Sequence, residues 1–219
     1  TLRRLTPPPP SDPGLVVEIA NLFAEKVPGF HCFGCARPGR SSGQAECGAR
    51  TGLQMEFVAE TSAAAENEQF RIVHSKSFHI PSWLQSFPGI AHGGGAFGTI
   101  VDDTAFWCLF YNTGSLAVTT SMTINFKRPV RVDGGAALAS PSSSPSLVVA
   151  SARLDTFDRK KTRKAIAEVV VREAQEGKNP KEWPVVCTGT VSFFVPPGGN
   201  SSLKRILGRV VDRLPKARM

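Results

Sequence analysis

No run of apolar residues in this chain approaches the roughly 20 that a membrane-spanning helix needs, so no transmembrane segment is expected. Acid is in short supply: 18 Asp and Glu stand against 26 Lys and Arg, a formal net charge of +8. An excess of that sign favours polyanionic partners: nucleic acid, anionic lipid or a phosphate-rich small molecule. Disulfide spacing is missing too. The five cysteines (Cys32, Cys35, Cys47, Cys108 and Cys187) are odd in number and do not fall at scaffold spacing. Reduced thiols in an intracellular compartment follow from that. The candidate strands also lack the interleaving of aromatic and basic residues by which nucleic-acid binders stack bases. No nucleic-acid partner is expected.

What is present is enough for one domain with a sizeable core: 219 residues, 41% of them hydrophobic. The chain opens "TLRRLTPPPP" without Met. That is either a mature end left by removal of an organelle-targeting peptide or an arbitrary boundary; the first option places the protein in the mitochondrial or another organelle matrix. Residues 1–14 are Pro-rich and unsuited to packing. Leu15, Ile19, Leu22 and Phe23 predict a short amphipathic helix over 15–27, ended by Pro28-Gly29. Strand-like material follows at 53–60 and 69–74, and a long connection at 75–91. Phe97, Ile100, Val101, Thr104, Ala105 and Cys108 recur at helical spacing and predict a helix from about Gly95 to Phe110, stopped at Asn112-Thr113-Gly114. Four long segments rich in Val, Thr, Ile and Phe then read as strands at 116–128, 146–157, 164–173 and 185–195.

Two strands, one buried helix and four more strands predict an α+β domain, an antiparallel sheet wrapped around a single central helix. The expected organisation is a Pro-rich segment and short helix at 1–29, the domain at 30–198, and a basic amphipathic helix at 199–219. In that last segment Leu203, Ile206, Leu207, Val210, Val211 and Leu214 share one face and Lys204, Arg205, Arg209 and Arg213 the other. Such a helix docks on its own domain or a sister subunit, or on a membrane surface or partner.

The chemistry concentrates in "GIAHGGGAFGTIVDDTAF" (89–106). Gly93, Gly95 and Gly98 spell G-x-G-x-x-G, but the dinucleotide fingerprint needs a strand just before it and a parallel βαβ unit around it. Neither is present in the pattern. A glycine-rich helix start can instead admit an anionic oxygen to its unsatisfied amides. A carboxylate further along the same helix can activate a nucleophile. Together they make an acyl-transfer site.

The order of motifs resembles the hot-dog-fold acyl-CoA thioesterases of the phenylacetate-pathway and mitochondrial THEM types. That family carries H-G-G at a helix start, a helix reading like "LADTAF", and a following strand ending in K/L-R-P. This chain has "AHGGG", "GTIVDDTAF" and "TTSMTINFKRP", with "CFGCARPG…TGLQMEF" upstream. The resemblance covers roughly residues 30 to 195. It implies hydrolysis of an acyl-CoA thioester by a homodimer or dimer of dimers, with coenzyme A as part of the substrate and no separate cofactor.

The same resemblance implies the roles. Asp102 or Asp103 is general base or nucleophile, Gly93 and Gly94 supply oxyanion amides, and His92 positions the thioester. Thr119 of the facing subunit orients water. The family's acidic residue lies nine positions after the histidine, whereas Asp102 and Asp103 lie ten and eleven after His92. Matching the helix by Ile100-Val101 selects Asp102; counting back from Lys127-Arg128-Pro129 selects Asp103. The third glycine is the expected place of the inserted residue. Arg159, Lys160 and Lys161 in the basic turn 158–164, and Lys127 and Arg128, are candidate contacts to coenzyme A phosphates. Phe97 and Trp107 are tunnel-lining candidates. Cys32, Cys35 and Cys47 beside His31 suggest zinc, but a second ligand pair is missing and no metal is expected. The rivals are a non-catalytic hot-dog subunit of a larger organellar complex, joined through the C-terminal helix, and a hot-dog dehydratase, which "HGGG…DD" fits poorly.

Overall fold

The computed structural model describes residues 34, 52–53, 55–59, 70–132, 145–158 and 160–197. The expected helices at 15–27 and 199–219, His31, the three N-terminal cysteines and Arg159 lie outside these residues.

The elements run β1 (Phe57–Ala59), β2 (Val73–Ser75), β3 (Phe78–His79), β4 (Gln85–Phe87), β5 (Ile90–Ala91), a π-helical turn (Gly93–Phe97), α1 (Gly98–Thr113), β6 (Val118–Phe126), β7 (Leu147–Asp158), β8 (Lys164–Glu173) and β9 (Val185–Phe194). The main sheet is antiparallel in the order β1-β2-β7-β8-β9-β6, with β3 also on β7. It curves around α1. This is the α+β hot-dog architecture that the sequence implied. Among the described residues no helix is long and apolar enough to cross a membrane.

The four long strands fall within two residues of their expected bounds, because β-branched alternation over ten residues leaves little freedom of assignment. The connection 75–91 held more than the sequence offered. It contains β3, a 3-10 turn at Ser82–Leu84 and the β4–β5 hairpin. Strands of two or three residues are too short to show a period. Gly89 lies in the hairpin turn at φ 78°, a left-handed conformation that favours glycine.

Helix α1 runs past the expected Phe110 through Asn112 and Thr113 and ends at Gly114, whose φ is 61° and whose N–H donates to Phe110 O at 2.7 Å. Ten of its sixteen residues are buried, which one apolar stripe cannot explain; the curved sheet encloses more than one face. The concave side presents Val148, Ala150 and Ala152 from β7, Ala165, Ala167 and Val169 from β8, and Val191 and Phe193 from β9, all essentially inaccessible. Alanines at the centre let the helix approach closely. Gly189 is the tightest point: a Cβ there would lie 2.5 Å from Val101 Cγ1.

Candidate active site

His92 is the N-cap of the helical run. Its Nδ1 accepts from Gly95 N–H at 3.0 Å, and its own carbonyl accepts from Ala96 N–H at 2.9 Å. Backbone bonds from His92 N–H to Leu84 O at 2.7 Å and Ala91 N–H to Val130 O at 2.9 Å fix the approach to the cap. With Nδ1 accepting, the neutral ring carries its proton on Nε2. The first amides of a helix have no intrahelical acceptor. Since those of Gly95 and Ala96 are used by His92, Gly93 and Gly94 are the amides a ligand oxygen can reach.

Residues Gly93–Phe97 form a π-helical turn and regular α-helix resumes at Gly98. A π turn takes one residue more per circuit than an α turn. One wide circuit of this kind takes up a single added residue without the rotation of about 100° that the residue would otherwise give to everything beyond it.

Asp102 meets β6. Thr119 Oγ1 donates to Asp102 Oδ1 at 2.6 Å. A β-bulge makes this contact possible. Register shifts between Thr119 and Ser121, so Thr119 faces inward opposite Phe193 while Met122 faces inward opposite Val191. Without the extra residue, strand alternation would aim Thr120 at the helix instead. The resemblance places the threonine hydroxyl across a subunit boundary; here the bond is made within one chain.

The rest of β6 runs back along the helical segment. Met122 Cε lies 3.9 Å from where a Gly98 Cβ would stand, and the Phe126 ring lies 3.3 Å from the same point on Gly93. Phe126 also meets Phe97 edge-on, with centroids 6.2 Å apart. The amides and Asp102 therefore sit at different places along one rod. Nine helical positions span about 13 Å at about 1.5 Å each, so Gly93 and Asp102 of one chain cannot hold and attack the same carbonyl. Within one chain the Gly93 and Gly94 amides and the Asp102 carboxylate are two separate groups.

Asp103 faces elsewhere. A Cβ on Gly34 would fall 1.7 Å from Asp103 Oδ2, so the glycine backbone lies directly on this carboxylate. Trp107 is buried among Phe57, Phe106 and Phe110, while Phe97 is buried beside Phe126. The two tunnel-lining candidates thus occupy different regions.

The basic turn is ordered by Asp158, whose carboxylate accepts from Lys160 N–H, Lys161 N–H and both the amide and hydroxyl of Thr162 at 3.0–3.1 Å. These bonds hold Asp158 below its usual carboxylate pKa. Lys160 and Lys161 are exposed. Ala165 pairs with Phe193, which pairs with Thr119; the turn therefore stands at the Thr119 end of the sheet, two strands from β6. Lys127 and Arg128 lie at the opposite end, and Arg128 is paired with Glu173 Oε2 at 3.3 Å. Among the described residues no group of His, Cys, Asp or Glu is placed to hold a metal ion.

Sequence reasoning missed Phe126 and Met122 against the helix start. The only signal was their apolar character in a strand that leaves Val118, Met122 and Phe126 exposed.

No family model matches this sequence and no curated protein matches it. Several solved structures have a similar backbone course. An acyl-CoA hydrolase of Staphylococcus aureus, solved with butyryl coenzyme A and coenzyme A, is 14% identical over 58% of this chain and 68% of its own, with a TM-score of 0.46. The PaaI protein of the Escherichia coli phenylacetic acid degradation operon is 15% identical over 65% and 81%, with a TM-score of 0.43. A hypothetical thioesterase of Streptococcus pneumoniae, solved with coenzyme A, is 18% identical over 64% and 86%, with a TM-score of 0.42.

Proposed function

We propose that this chain hydrolyses acyl-CoA thioesters to the free acid and coenzyme A, at composite sites built by two copies. The observation that carries the proposal is the Thr119–Asp102 bond on the same helix whose start presents the Gly93 and Gly94 amides. A carboxylate oriented by a hydroxyl suits a general base, and glycine amides at a helix start suit a developing oxyanion.

The edge strand supports a second copy. β6 ends the sheet, and Val118 and Phe126 are each more than half exposed. An open edge strand bearing apolar side chains is a template for pairing. Two β6 strands paired antiparallel about a twofold near Met122 bring Phe126 of one copy opposite Val118 of the other. The helix start beside Phe126 then faces Asp102 and Thr119 of the neighbour. The twofold unites half-sites that one chain holds apart.

In the composite site Asp102 takes a proton from water, whose oxygen attacks the thioester carbon. The carbonyl oxygen becomes an oxyanion held by the Gly93 and Gly94 amides, with His92 Nε2–H as a further donor. Collapse breaks the carbon–sulfur bond, and Asp102 returns the proton to the departing thiolate. Lys160 and Lys161 stand at the Thr119 end of the sheet, where the coenzyme A phosphates would lie. Coenzyme A enters as part of the substrate and no resident cofactor is invoked.

The test uses short, aromatic and long acyl-CoAs as substrates. Asp102→Asn should lower kcat by about 10²–10⁴-fold with the fold intact. Asp102→Asn chains refolded together with His92→Ala chains should recover activity, because one site of each mixed dimer then carries neither change. Hydrolysis by a monodisperse monomer would refute the shared site. No turnover by the wild-type chain on any acyl-CoA would move the reading to a non-catalytic subunit.

A further inference from the structure

We propose that Asp103 is a positioning residue: its carboxylate is the seat on which the backbone at Gly34 rests, and the seat fixes the rotation of α1 that presents Asp102. The geometry is unusually tight. A Cβ on Gly34 would stand 1.7 Å from Asp103 Oδ2, 2.6 Å from its Cγ and 3.1 Å from Thr99 Cγ2. Thr99 and Asp103 are four positions apart and share a helix face. Thr99 Oγ1 donates to Gly95 O at 3.1 Å, which engages its hydroxyl on the helix and leaves its methyl toward Gly34. Carboxylate and methyl together form a slot in which a Cβ at position 34 would displace the carboxylate from its place.

The slot is fastened from the other side as well. Gly34 is buried, and its carbonyl accepts from Met55 N–H at 2.8 Å. Met55 is itself core, 1% exposed, just before β1. The helix is thus gripped at neighbouring positions on faces about 100° apart: Asp102 by Thr119 on β6, Asp103 by Gly34. Turning α1 would disturb both contacts at once. The two adjacent aspartates divide the work, one touching substrate and the other setting its bearing. In this assignment, which rests on Asp102 being the base of the proposed hydrolysis, the glycine of "CFGC" is required by the second aspartate.

A double-mutant cycle tests the seat without reference to activity. Gly34→Ala in the wild-type chain should lower Tm by about 6 °C, or prevent folding. In an Asp103→Ala background the same change should cost little, because the new methyl enters the space the carboxylate left. Asp103→Asn keeps the side-chain shape, so the penalty of Gly34→Ala should persist there. Equal losses in all three backgrounds, or failure of Gly34→Ala to fold even with Asp103→Ala, would overturn the proposal. The catalytic arm is separate. Asp103→Ala, which removes the seat, should lower kcat by about tenfold with KM little changed, whereas Asp103→Asn, which keeps it, should retain kcat within about fivefold, well short of the loss from removing a base. Equal kcat in Asp103→Ala and wild type would overturn the positioning role. Collapse of kcat in Asp103→Asn with Asp102→Asn still active would make Asp103 the base and overturn the assignment. If the wild-type chain turns over no acyl-CoA, the hydrolysis reading fails on its own and the stability cycle still decides the seat.

Discussion

Gly189 offers a direct test of how closely α1 lies on the sheet. It sits at the middle of β9, paired with Ile124 on one side and Val169 on the other. An added Cβ would approach Val101 Cγ1 to 2.5 Å, Cγ2 to 3.3 Å and Cβ to 3.5 Å. Val101 is wholly buried, so neither side of the contact can swing into solvent. Overpacking of this kind costs about 1–3 kcal/mol. Against it stands a gain of about 0.4–1 kcal/mol, because alanine restricts the unfolded chain more than glycine does. Steric conflict wins, and Gly189→Ala should destabilise by about 1–2 kcal/mol, a fall of roughly 3–6 °C in Tm for a domain of this size. Val101→Ala alone should cost about 2 kcal/mol through lost burial and a small cavity. In the double variant the alanine methyl enters that cavity, so the combined loss should fall short of the sum by 1 kcal/mol or more, within the roughly 0.5–3 kcal/mol coupling of contacting residues. Thermal melts and urea titrations of the four proteins measure all of this. A neutral or stabilising Gly189→Ala, or strict additivity, would refute the close approach. Because Val101 precedes Asp102, the single variant should also lower kcat; the compensated double should restore part of it.

Two further outcomes follow from the site's surroundings. Burial, reinforced by the Arg172 charge, lowers the His74 pKa from 6.5 to about 3, and its Nδ1 lies 2.8 Å from Ser151 Oγ. The folded state therefore keeps His74 neutral where the unfolded chain takes a proton, so stability present above pH 6.5 is lost as pH falls toward 3, by about 1.4 kcal/mol per pH unit. Urea unfolding between pH 6.5 and 5 should show a shallower slope in His74→Gln than in wild type, and equal slopes would sink the assignment. Replacing Arg159, Lys160 and Lys161 with Ala should raise KM for acyl-CoA and leave kcat nearly unchanged, the signature of lost uniform binding; matched falls in kcat and kcat/KM would argue against phosphate contacts there.

Long, strongly patterned elements were legible in the sequence. Phe97, Ile100, Val101, Thr104, Ala105 and Cys108 were expected on one buried helix face, and all are buried. Strand Lys164–Glu173 fell on its expected bounds. What escaped notice depends on single residues placed by tertiary context. The bulge that aims Thr119 rather than Thr120 at the helix has no local signature, because "VTTSMT" alternates equally well in either register. Asp102 and Asp103 are neighbours of identical chemistry, and two defensible alignments chose differently. The structure separates them by what they touch, a hydroxyl on β6 in one case and a glycine backbone in the other. Gly34 has no signal of its own in the sequence; it stands between the cysteines of "CFGC". The β4–β5 hairpin was invisible because strands of two or three residues carry no period.

The π turn at Gly93–Phe97 makes a joint in what would otherwise be one stiff shaft. In a continuous α-helix a twist applied at one end arrives at the other, since each hydrogen-bonded circuit locks the next. A single wide circuit interrupts that regular pattern. The cap at His92 takes its orientation from Leu84 and Val130, whereas Asp102 beyond the joint takes its own from Thr119 and the sheet. Changes in the 84–91 hairpin can therefore re-aim the amides and the imidazole without turning the carboxylate. The two ends of the helical run thus have separate anchors, which substitutions can alter one at a time.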